Sequence, residues 1–189
     1  SARSEVTRRE VDSRGIVRQE MAGAAFMIVA GSALHFAFDW VDGWRPMALL
    51  AAVNESIWEH LKLAFWPGVA WTLGQRIASP AETEDIWSVK GVSLLVTAAL
   101  IVTIFVSYTA ILGENLLALD IGTFVVAVTA GQALAAWMRV RTATARFLVW
   151  TGRVLLAVQI AAYASLTYFP PDIWFFVEVG TGLRGIPPP

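Results

Sequence analysis

Two carboxylates, a histidine, an amide and an ammonium fall within one short run, Asn54-Glu55-Ser56-Ile57-Trp58-Glu59-His60-Leu61-Lys62. A smaller polar group, His35-Phe36-Ala37-Phe38-Asp39, precedes it, and the chain's two histidines are divided between the two groups. Both runs are embedded in strongly apolar sequence, where a charge is costly and marks a functional site by default. On a helix, at about 100° per residue, Glu55, Glu59 and Lys62 fall within about 60° of one another. His35 and Asp39 share a face one turn apart. His35, Asp39, Glu55, Glu59 and His60 therefore form a candidate ligand set for a divalent ion. Zinc, iron and manganese all accept imidazole and carboxylate together. Water on such an ion becomes a nucleophile at neutral pH, and Glu55 or Glu59 is placed to serve as base. Asn54, Trp58 and Lys62 would support these ligands from behind.

The same residues also have plain structural uses. Glu59 and Lys62 are spaced as an i,i+3 ion pair, Glu55 at a helix start favours the helix dipole, Asn54 can cap, and His35 can bond Asp39. A proton or ion relay without metal is a further use. Neither the His-Glu-x-x-His spacing of zincins nor the Glu-x-x-His spacing of di-iron bundles occurs.

The elements that must position these groups are membrane helices. Of 189 residues, 57% are hydrophobic and 15% charged, against about a quarter charged in soluble domains, and mean hydropathy is +0.60. The apolar runs are about 20 residues long, enough to cross about 30 Å of hydrocarbon. The expectation is an all-α integral membrane protein, a bundle of five transmembrane helices over about 21–40, 54–77, 87–112, 116–138 and 147–169. A polar tail, 1–20, precedes this membrane domain (21–169), and a second tail, 170–189, follows it. The first tail lacks a cleavage pattern, so the first apolar run is expected to be retained as a span.

Pro46 can open a helix, but unbroken helix from Pro46 to Ile77 would measure about 48 Å, too long for one upright span. A break is expected at Asn54, leaving Met47 to Val53 as a short interfacial or re-entrant element. Pro67-Gly68 should kink the following span. Gly113-Glu114-Asn115 makes a tight turn, and Pro170-Pro171 ends the last span, with the aromatic tail beyond it laid along the surface. No internal repeat is evident.

Lysines and arginines gather in the first tail, between spans 2 and 3 (Arg76, Lys90) and between spans 4 and 5 (Arg139, Arg141, Arg146, Arg153). The positive-inside rule then places the N-terminus in the cytoplasm and the C-terminus outside, which brings the His and carboxylate groups to the outer leaflet. A net charge of −1 gives no field to attract nucleic acid, and the absence of cysteine excludes thiolate chemistry and disulfides. The partner implied is the lipid bilayer. Small residues on span 1 and many tryptophans would also suit contact with other membrane subunits.

The run from Asn54 to Lys62, preceded by His35-Phe36-Ala37-Phe38-Asp39-Trp40, resembles the hallmark of a family of small bacterial multi-span membrane proteins with no assigned function. Pro170-Pro171-Asp172-Ile173 and Gly180 to Ile186 resemble that family's ending. The resemblance implies a multi-pass protein of the bacterial inner membrane and marks Asn54, Glu55, Trp58, Glu59, His60 and Lys62, with His35 and Asp39, as the positions to test. It implies no activity. The residues lead to a polar, metal-binding site at the outer leaflet, in a membrane hydrolase acting on a lipid or small substrate. A non-catalytic accessory subunit is the alternative, and an ion or proton transporter the third.

Overall fold

A computed structural model describes residues 2–79, 85–141, 146–178 and 180–187. Its helices are α1 (Ala2–Trp40), α2 (Ile57–Ala78), α3 (Ile86–Leu112), α4 (Leu117–Val140) and α5 (Arg146–Ser165). The described residues hold no β-strand, only an isolated bridge between Val177 and Arg184. Four helices, α1 from Ser13 on, α3, α4 and α5 from Phe147 on, are long and apolar enough to cross a membrane. The chain is an all-helical, multi-pass membrane protein. α2 falls outside that set because Glu59, His60 and Lys62 crowd its first turns and Gln75 and Arg76 its last.

α3 is the central helix, packed against α2, α4 and α5, while α1 lies against α2 and α4. Two of the close contacts show why glycine is used. At the α3–α5 crossing, a Cβ on Gly91 would collide with the carbonyl of Gly152, and one on Gly152 with the backbone of Ser88. Helices this close gain dispersion and polar contacts in a solvent that offers no hydrophobic drive. Gln159 Nε2 uses the approach to donate to Gly91 O at 2.9 Å. At the α1–α2 contact, a Cβ on Gly31 would stand 2.5 Å from Leu63 O. Pro67 lies four residues after Leu63 inside α2, so that carbonyl has no helical donor. α1 covers it with a residue that has no side chain, and α2 continues through Pro67 as helix.

Boundaries differ from the sequence expectation mainly around α2. The helix begins at Ile57, and its N-cap is Ser56, whose hydroxyl accepts from Glu59 N at 3.5 Å. Asn54 does not cap. Its Oδ1 accepts from Ser56 N at 2.9 Å, forming a local turn just ahead of the cap, and its Nδ2 donates to Gly185 O at 2.8 Å. Before it, Arg45–Leu49 is a 3-10 turn with Pro46 at its start. Ala48, Ala51 and Val53 there bury themselves against Phe38 of α1. α5 ends at Ser165, earlier than expected, and the chain turns so that Thr167 is buried. The C-terminal segment does not lie loose on the surface. After a short 3-10 turn, Trp174–Phe176, it folds back on α2, where Trp58 stacks between Tyr163 and Phe176, each centroid 4.7 Å away. Lys90, expected in a loop, is buried in α3. The first tail is continuous helix with span 1.

Candidate functional site

The Ser56 cap aims the first turn of α2. Ser56 O accepts from His60 N at 3.4 Å and lies 2.8 Å from His60 Nδ1. A carbonyl can only accept, so Nδ1 carries a proton and Nε2 is the ring nitrogen left for other partners. That nitrogen points across to α1, where His35 Nε2 is 3.3 Å away. Glu55, in the loop before the cap, brings Oε2 to 3.2 Å from His60 Nε2 and 3.7 Å from His35 Nε2. Its backbone N–H donates to Glu178 Oε1 at 3.1 Å, so the C-terminal segment fixes the loop that presents it.

Among the described residues, His35, Glu55 and His60 are the group of His and carboxylate side chains close enough to share a metal ion, their ligand atoms all within 4.8 Å. Ligands about 2.0–2.1 Å from zinc at tetrahedral angles lie about 3.4 Å apart. The observed separations, 3.2, 3.3 and 3.7 Å, bracket that edge. A backbone carbonyl holding Nδ1–H is also the usual outer support of a metal-bound imidazole. Without a cation or extra protons, lone pairs would face one another here. Glu55, its side chain 61% exposed, is held below the usual carboxylate range, first by its hydrogen bond to His60, then by the two histidines' charges, against the cost of partial burial. It is thus ionised at neutral pH, as a ligand must be.

The other expected site residues go elsewhere. Asp39 is exposed at the end of α1 and outside the group. Glu59 is buried, its side chain 2% exposed. Its Oε2 accepts from Lys62 Nζ at 2.6 Å and Val53 N at 3.2 Å, and its Oε1 from Thr167 Oγ1 at 2.9 Å. Lys62 Nζ also donates to Ala48 O at 2.7 Å and Thr167 Oγ1 at 2.9 Å, which uses all three of its protons. This network ties the 3-10 turn, the loop, α2 and the segment after α5 into one unit. It is the i,i+3 ion pair that the spacing allowed. Asn54 and Trp58 hold the C-terminal segment.

Sequence reasoning missed Thr167, Ser56 O and Gly185, none of which carries a chemical signal. It also missed a second buried network toward the other end of the bundle. Glu20 of α1 meets Lys90 Nζ at 2.5 Å and Arg139 Nη1 at 2.6 Å, and Gln75 Nε2 donates to it at 3.0 Å. Gln132 Oε1 accepts from Lys90 at 2.8 Å, and Gln19 Oε1 from Arg139 at 2.9 Å. The signal available was position alone, since Glu20 is the last charge before span 1. Four helices, α1 to α4, meet there around one carboxylate.

No curated protein and no solved structure matches the chain. A family model does match, over residues 15–186, nearly the whole described bundle with both His-bearing groups and the docked C-terminal segment. The chain belongs to the family of unknown function DUF6512.

Proposed function

We propose that this protein holds a divalent metal ion between His35, Glu55 and His60 at the outer leaflet of the bacterial inner membrane and acts there as a metal-dependent hydrolase. The observation that carries the proposal is the convergence of three ligand atoms at tetrahedral-edge separations. Two imidazoles and one carboxylate with an open fourth corner is the donor pattern of catalytic zinc, and iron and manganese accept the same donors. Bound water in that corner would be acidified toward neutrality. Outward orientation is supported by the arginines and lysines gathered at the other end of the helices. Glu59 is the ion partner of Lys62 in this scheme and Glu55 a ligand, so neither is left to act as general base.

Elemental analysis of the protein purified in mild detergent and supplied with zinc tests the proposal. About one ion per chain is expected in the wild type, with at least tenfold weaker binding in His60→Ala and Glu55→Ala. A wild type that takes up no zinc, iron or manganese overturns it. The second reading, a non-catalytic subunit of a larger membrane complex, is favoured by Gly74 and Gly122, which have nothing within 4 Å and leave small-residue faces open for a neighbouring helix. A stoichiometric partner co-purifying with a metal-free protein would select it.

A further inference from the structure

A cavity of about 330 Å³ opens directly beside Glu55. Its walls come from the last turns of α3 (Phe105, Val106, Ala110), from Ile57 at the start of α2, and from Trp174 of the C-terminal segment. The α3 wall belongs to the most apolar of the candidate spans. Val106 and Trp174 stay exposed, so the cavity is a groove open along its side rather than a closed chamber.

The side chains along it give its occupant a definite polarity. Thr109 is the one hydroxyl in the lining, and it is already spent on Phe105 O at 2.7 Å. A peptide strand or polar solute would leave its hydrogen-bonding groups unpaired along that wall. Glu55 is the one charged residue in the lining, and its carboxylate faces the two imidazoles. The groove suits a molecule that is hydrocarbon over its length and polar where it meets Glu55. In a bilayer that description fits the acyl chain of a phospholipid.

We infer that this groove seats one acyl chain of a membrane phospholipid and so presents the ester-bearing end of that lipid to the His35–Glu55–His60 centre. The inference rests on the metal-centre reading for its chemistry and names the substrate class of that site, a lipid rather than a water-borne solute. The occupancy of the groove itself depends only on its walls.

The test uses the full chain, loaded with zinc, in phosphatidylglycerol vesicles doped with phosphatidylglycerol bearing a photoreactive diazirine in its acyl chain. After illumination, labelling of the peptide containing Phe105 to Ala110 is compared with labelling around Val126 of α4, an exposed residue outside the lining of this groove. At least fivefold enrichment at the groove is expected, and Ala110→Trp, which fills the groove from an exposed position, should abolish the enrichment while zinc content stays at the wild-type level. Equal labelling at the two places, or an enrichment that survives Ala110→Trp, overturns the inference even if zinc is bound. A wild type that binds no metal yet shows the enrichment overturns the metal reading and the presentation of an ester to it.

Discussion

Glu55 and Glu59 sit one helical turn apart in sequence and have opposite fates. Glu59 is sealed with Lys62, and each oxygen is claimed by a partner. Glu55 is exposed and faces two imidazoles. Removing one member of a buried pair strands the other, at roughly 3–5 kcal/mol. Glu59→Gln should therefore lower thermal stability in detergent sharply while the folded fraction keeps its zinc, whereas Glu55→Ala should lose zinc with a stability change of under about 1 kcal/mol. The double replacement Glu59→Leu with Lys62→Met should be milder than Glu59→Leu alone, because no charge is stranded. Calorimetry beside elemental analysis separates these outcomes; equal zinc loss in Glu59→Gln would put Glu59 back among the ligands. Both glutamates stood out in the sequence. Their division of labour did not, because it is set by Thr167, 108 residues away from Glu59.

At the scale of the helices, hydropathy located α3 and α4 to within about two residues, and Gly113 ends α3 in the left-handed conformation (φ 78°) that its type favours. The start of α2 was harder. Asn54 and Ser56 are both good caps, and in the fold the Asn54 side chain is engaged by Ser56 N and Gly185 O instead. Ser56→Ala should cost about 1 kcal/mol and also weaken zinc binding, since the turn it starts carries His60. The α3–α5 crossing makes a sharper prediction. Gly91→Val places methyl groups against the Gly152 carbonyl, and overpacking of this kind costs roughly 1–3 kcal/mol. Its effect should appear as a lowered melting temperature with zinc affinity intact, because the ligands lie on α1, α2 and their loop. An unchanged melting temperature would mean that the two helices do not cross there.

Over the whole molecule, a buried carboxylate closes the bundle at each end. Glu20 and His35 are separated by about 22 Å along α1, so one helix runs from the Glu20–Lys90–Arg139 network to the histidine pair. The five helices, and the apolar character of all but α2, were legible because they depend on local composition. The networks were not, because each gathers residues from distant parts of the chain and Lys90 looks like a loop residue until α3 is seen to bury it. Orientation can be read directly, since the sequence contains no cysteine to interfere. Glu114→Cys should react with a membrane-impermeant maleimide in intact cells, and Gly15→Cys only after lysis. The reverse pattern would turn the site toward the cytoplasm.

The loop that carries Glu55 is held by partners 123 and 131 residues further along, Glu178 and Gly185. Synthesis proceeds from the N-terminus, so every helix must leave the ribosome before those partners exist. The loop thus gains these two supports only after the five helices have been made. A chain stopped within α5 would insert its earlier helices and still lack the groove wall, the anchor for Asn54 and the support for Glu55.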